Sequence, residues 1–95
     1  YMYMRADYDH FIKVKAPKAV KSISFKGVNT NAAPCVIRAK SALSDETTDA
    51  DMITSYTLEN TDAADVTLNL TGDATEVWIT ASAKVYFKGN VSVTY

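Results

Sequence analysis

The sequence predicts an all-β protein, an antiparallel two-sheet β-sandwich of jelly-roll-like order, and three observations predict it. Apolar and polar residues alternate with period two along much of the chain, in runs rich in Val, Ile, Thr, Tyr and Phe. No window of useful length repeats apolar residues at three and four, so helix signals are almost absent. Turn-prone pieces separate the runs: Ala16-Pro17-Lys18, Gly27 to Asn31, Thr71-Gly72-Asp73 and Lys88-Gly89-Asn90. Many short strands with turns every eight to ten residues or so read as a sandwich or a small barrel, and two sheets are the preferred arrangement.

Taken in order, strands are expected at 2–5, 10–16, 20–26, 34–40, 53–59, 65–71, 75–81, 84–88 and 90–95. On 10–16, Ile12 and Val14 share one face and Lys13 and Lys15 the other. On 20–26, Ile23 and Phe25 point inward, leaving Ser22, Ser24 and Lys26 outside. On 34–40, Cys35, Ile37 and Ala39 point inward, leaving Arg38 and Lys40 outside. The irregular piece Ser41 to Asp51 carries Asp45, Glu46, Asp49 and Asp51, and is read as a long connection between sheets. On 65–71, Val66, Leu68 and Leu70 point inward and Thr67, Asn69 and Thr71 outward. The turn Thr71-Gly72-Asp73-Ala74 then pairs this strand with 75–81 as a hairpin, with Val77 and Ile79 inside. Extrapolation makes 75–81 and 84–88 a second hairpin around Ser82-Ala83-Lys84. In that register Trp78 stands opposite Lys88 and diagonal to Tyr86 on the outer face.

Ninety-five residues make a single domain, 1–95, large enough for one core. A hydrophobic content of 47% with 22% charged residues is that of a globular chain rather than a disordered one. No apolar run approaches the roughly 20 residues that span a membrane, so no membrane span is expected. No secretory leader is recognised, and the start at Tyr1 rather than Met reads as an excised module that could have lost one. Cys35 is the lone cysteine, which excludes an internal disulfide and a cysteine zinc site. In PCVIRAK it reads as a small buried hydrophobe. The net charge of −1 hides an asymmetry. Residues 1–43 hold eight Lys and Arg against two Asp, and residues 44–95 hold two Lys against nine Asp and Glu. The first half can therefore build a local basic face.

Catalysis is not expected. His10 is the only histidine, in a strand-start context, so any Ser-His-Asp or Cys-His arrangement would have to be built around it. The acidic residues cluster in surface loops rather than in a cleft that would hold two carboxylates for glycoside cleavage. The three glycines are isolated, so no phosphate-binding loop is present.

Three constellations remain, each with a bland reading beside the sharp one. Trp78, with Tyr86, Lys84 and Lys88, makes an aromatic and cationic surface on which a sugar can stack and hydrogen-bond. The alternative is a Trp78 covered by a loop or packed in an interface. Lys13, Lys15, Lys26, Arg38 and Lys40 form one positive face if their strands share a sheet, suited to an acidic polysaccharide such as pectin. The alternative is lysines that solvate a sheet face and protect its edges. Asp45, Asp49 and Asp51 offer oxygen ligands for calcium, although the spacing is not an EF-hand loop. The alternative is a solvated acidic loop. Nucleic acid is not an expected partner, since the overall charge opposes it and no recognised motif is present. The triplets Asn69-Leu70-Thr71 and Asn90-Val91-Ser92 match glycosylation acceptors; such triplets are frequent by chance and mean nothing if the source is bacterial.

The stretch FIKVKAPKAVKSISFKG resembles the opening of small β-sandwich modules attached to secreted enzymes and surface proteins of gut and rumen bacteria. The stretch VTLNLTGDATEVWITASAKVYFKGNVSVTY resembles their ends. The resemblance implies a galactose-binding-like or carbohydrate-binding-module jelly roll, and it carries no functional residues with it. Together these readings lead to an expected function. The chain would be a non-catalytic, extracellular or cell-surface module that binds a plant cell-wall polysaccharide and is covalently linked to a catalytic domain. The competing expectation is a structural or adhesive module with no glycan ligand.

Overall fold

The computed structural model describes residues 2–4 by their backbone, and residues 11–43 and 48–95 in full. Eight strands follow one another: β1 (Met2–Met4), β2 (Ile12–Lys15), β3 (Ser22–Asn29), β4 (Cys35–Lys40), β5 (Met52–Leu58), β6 (Thr61–Asn69), β7 (Glu76–Ala81) and β8 (Val85–Thr94). They form two antiparallel sheets. Sheet A has the order β1-β8-β3-β6 and sheet B the order β2-β7-β4-β5. Every step along the chain except β4 to β5 changes sheet, which is the alternation of a jelly-roll sandwich. Among the described residues no helix is long and apolar enough to cross a membrane.

The period-two reading places the inward residues correctly. Ile23, Ile37, Val66, Leu68, Val77, Ile79 and Val85 are fully buried, as is Cys35. Phe25 and Phe87, on the neighbouring strands β3 and β8 of sheet A, stack on its inner face with ring centroids 4.5 Å apart. Each such side chain removed from water contributes roughly 1.5–3 kcal/mol.

The pairing differs from the expected one. The stretch read as the first hairpin is no hairpin, because β6 pairs with β3 and β7 pairs with β2 and β4. Nor do β7 and β8 pair, so Trp78 does not stand opposite Lys88. Leu70 to Thr75 instead crosses from one sheet to the other, beside the first crossing at Ala16 to Lys21. Two bonds fasten the crossings together: Ala16 N–H donates to Thr75 O and Val20 N–H to Ala74 O, both at 2.9 Å. A third, Leu70 N–H to Lys21 O, also measures 2.9 Å. These bonds pair backbone groups that lie outside the sheet ladders.

Opposite that end, Asn29 does similar work. Its fully buried side chain donates to Leu58 O at 2.9 Å and accepts from Asn31 N–H at 2.9 Å. Asn31 in turn donates from Nδ2 to Lys84 O at 2.9 Å, tying the start of β8 to the end of β3.

Two further differences shape the surface. The acidic stretch Ser41 to Asp51 connects β4 to β5 within sheet B, not one sheet to the other. Lys88-Gly89-Asn90 is not a turn between two strands but the interior of one ten-residue strand. Against β3, Ser24 pairs with Ser92 and Lys26 with Lys88, so Phe25 faces Gly89, Asn90 and Val91 together. Gly89 takes φ +86°, a conformation that glycine adopts without strain. The same chemistry that makes a turn here makes a bulge. Because the bulge inserts two residues rather than one, parity survives: Val85 and Phe87 lie inside before it, and Val91 and Val93 pack on the core after it.

Candidate functional site

The alternation that buries Val77, Ile79, Val85 and Phe87 turns Trp78 and Tyr86 outward, but on different sheets. The two aromatics expected to share one surface therefore stand on opposite faces of the sandwich. Lys84 and Lys88 go with Tyr86 on the outside of sheet A, and Lys26 joins them from β3. Lys13, Lys15, Arg38 and Lys40 go with Trp78 on the outside of sheet B. Lys26 is thus separated from the other four residues of the expected basic face.

On sheet B the register sets Lys13, Trp78 and Lys40 in one row across β2, β7 and β4. Lys13 Nζ sits 5.0 Å from the centre of the Trp78 ring, a cation–π arrangement that already uses one face of the half-buried indole. Lys13 and Lys15 both reach Glu76 Oε1, at 3.9 and 3.8 Å, so a carboxylate stands between the two exposed cations. Arg38 and Lys40 face outward by parity yet are buried, at 8% and 0% exposure. Arg38 Nε donates to Asp49 Oδ1 at 3.1 Å, which lays the β4–β5 connection against β4. Ser41 N–H donates to Asp51 O at 2.9 Å and closes the base of that connection. The expected continuous positive face is therefore absent: two of its members are withdrawn from solvent and two are paired to one glutamate.

The acidic loop is engaged in the same way. Asp49 spends its carboxylate on Arg38, and among the described residues no three acidic, histidine or cysteine side chains converge as a metal site would need. Asp45 and Glu46 lie outside the described residues, as does His10.

On sheet A the outer surface is open and hydroxyl-rich. Ser24 on β3 lies between Thr67 on β6 and Ser92 on β8, and the next outward row is Asp65, Lys26 and Lys88. These side chains and Asn90 line a groove of about 440 Å³ whose floor includes Phe25 and Val66. The groove lies along the β8 bulge, where Phe25 faces three residues instead of one. Lys26 Nζ approaches Asp65 Oδ1 at 3.8 Å. Tyr86 stands one outward position from Lys88, with Lys84 Nζ 5.0 Å from its ring centre.

Lys26 and Lys88 were singled out from the sequence. Ser24, Asp65, Thr67, Asn90 and Ser92 were not. Part of the signal for them was present, since six outward positions at one end of β3, β6 and β8 read Ser, Thr or Asn: Ser22, Ser24, Thr67, Asn69, Ser92 and Thr94. Hydroxyl and amide groups both donate and accept, ammonium groups donate, and a carboxylate accepts. Converging over one concave surface, they suit a polyhydroxylated ligand held by many hydrogen bonds.

No protein-family model, no curated protein and no solved structure matches the chain.

Proposed function

We propose that the protein is a non-catalytic carbohydrate-binding module that holds a polysaccharide across the outer face of sheet A. The groove over the β8 bulge carries this reading. It gathers Ser24, Thr67, Ser92, Asn90, Lys26 and Lys88 on an exposed, rigid sheet rather than on loops. Each neutral hydrogen bond in such a site is worth about 0.5–1.5 kcal/mol net, so several are needed for useful affinity, and a long glycan supplies them. Asp65 is the one acidic side chain lining the groove, and Lys26 pairs with it, which agrees with binding rather than bond cleavage. A module of this kind acts outside the cell by keeping a linked catalytic domain at high effective concentration on its polysaccharide. Trp78 is not part of this site. Its ring is engaged by Lys13 on the opposite face.

Affinity electrophoresis or calorimetry against neutral and acidic plant polysaccharides tests the proposal. Binding should appear for at least one glycan and weaken about five- to tenfold in Thr67→Ala and Asn90→Ala, two exposed positions whose loss leaves the core intact. Trp78→Ala should bind like the wild type. Absence of binding across the panel would sink the proposal in favour of a structural or adhesive module. Loss of binding in a folded Trp78→Ala would move the site to sheet B.

A further inference from the structure

We infer that the sheet A groove selects an acidic sugar, seating its anionic group against Lys88 and Lys26. The inference rests on the proposed glycan-binding role and names the ligand class for that same groove. It starts from the ladder. Lys26 and Lys88 are directly opposed in the β3–β8 register. Like charges placed so across an antiparallel pair are destabilising. Asp65, directly opposite Lys26 on the other side, relieves only Lys26, with its oxygen 3.8 Å from Nζ. Lys88 forms no ion pair among the described residues, although it is exposed and lines the groove. The row Asp65–Lys26–Lys88 therefore carries one more positive charge than negative, and that surplus sits at the mouth of the only stretch of β8 that the bulge has opened.

An anion bound there relieves the Lys26–Lys88 repulsion and pairs the unmatched cation at once. The chain of a neutral glycan offers no such gain. The geometry also fits one sugar residue. On β3 and β6 the hydroxyl row of Ser24 and Thr67 lies two residues from the charged row, about 6.6 Å at 3.3 Å per residue, while on β8 the bulge places Ser92 four residues from Lys88. A hexuronate with its carboxylate at the charged row extends its ring hydroxyls over that shelf. Asp65 acts as the resident competitor. It holds Lys26 when the groove is empty and opposes a second negative charge, so it limits affinity. All three charged groups are exposed or nearly so, hence the selection is graded and salt-sensitive rather than absolute.

The test compares polygalacturonate, its fully methyl-esterified form and a sulfated galactan at low and high salt, using wild type, Lys88→Met, Asp65→Asn and Lys13→Met. Polygalacturonate should bind about fivefold or more tighter than its methyl ester, and the preference should shrink as salt rises. Lys88→Met should remove the preference while leaving residual binding of the ester. Asp65→Asn should tighten polygalacturonate two- to fivefold, a gain that mere loss of structure cannot produce. Lys13→Met, on the other face, should change nothing. Tighter binding of the sulfated galactan than of polygalacturonate would identify the anion as a sulfate ester and keep the inference. Equal binding of acid and ester, unaffected by Lys88→Met, would overturn the acidic selectivity and leave glycan binding standing. A preference lost in Lys13→Met instead would place acidic recognition on sheet B and overturn it too. No binding of any glycan would remove both.

Discussion

On the outer face of sheet A, Lys26, Lys88 and a shelf of hydroxyls stand open around a groove. On the outer face of sheet B, Arg38 and Lys40 are withdrawn from solvent and Trp78 lies beneath Lys13. The two faces draw on the same kinds of residue, lysines beside an aromatic on an antiparallel sheet. What separates them is the chain around each. A two-residue bulge in β8 opens face A, and the β4–β5 connection, pinned by Asp49 to Arg38, closes part of face B. Composition alone would rank face B higher, since it holds the tryptophan and four cations. Accessibility reverses that ranking.

The strongest way to break the comparison is to remove the floor of the open face. Phe25 is 5% exposed, lies under the groove and stacks on Phe87. Phe25→Ala should cost about 3–5 kcal/mol, read as a lower midpoint of the cooperative transition in chemical denaturation, and should weaken binding on face A. Next comes the bulge. Gly89 has φ +86° and open space where a Cβ would stand, so Gly89→Ala meets no clash and strains only the backbone. A loss of about 1–2 kcal/mol is expected, with a weaker glycan signal. Gly89→Asn should recover part of both, because Asn tolerates that conformation better. Equal stability for the wild type and both Gly89 variants would show that the bulge does not depend on this backbone geometry. On face B, Asp49→Asn should cost no more than about 1 kcal/mol, since Asp49 is 73% exposed. Its clearer readout is faster hydrogen exchange at Ser41, whose amide closes the loop base, with no effect on glycan binding.

How far the sequence foretold this difference depends on the physics each feature uses. Inside or outside is a local property with period two, so Val66, Leu68, Val77, Ile79 and Phe87 were legible as core, and Trp78 and Tyr86 as outward. Which sheet a strand joins is not local. Parity puts Trp78 and Tyr86 both outside without saying outside of what. The assumption that sequential strands pair then set them side by side, whereas β7 and β8 lie in different sheets. Thr71-Gly72-Asp73 and Lys88-Gly89-Asn90 were both read as turns between strands, and each does hold a left-handed glycine, with φ +96° at Gly72 and +86° at Gly89, but neither closes a hairpin. One serves a crossing between sheets and the other a bulge, and the glycine requirement is the same for both. Burial of Arg38 and Lys40 was invisible for the same reason, because it depends on what the fold lays against β4, including Asp49 against Arg38.

The gentlest test uses Trp78 itself, the one tryptophan in the chain, as a reporter of face B. Its indole carries the Lys13 ammonium 5.0 Å from its ring centre, and an exposed cation–π contact is worth about 0.5–1 kcal/mol. Lys13→Ala should therefore lower stability by no more than that, while raising quenching of Trp78 fluorescence by neutral acrylamide as the ring loses its cover. In the wild type, titration with a glycan that binds should leave both the emission maximum and the quenching of Trp78 unchanged, because ligand and indole lie on opposite sides of a core filled by Phe25, Phe87 and Ile79. A saturable shift in Trp78 emission with the affinity seen by calorimetry would mean that the ligand displaces Lys13 and stacks on the ring. Face B would then be the working surface, and the open groove of face A would be an incidental product of the bulge.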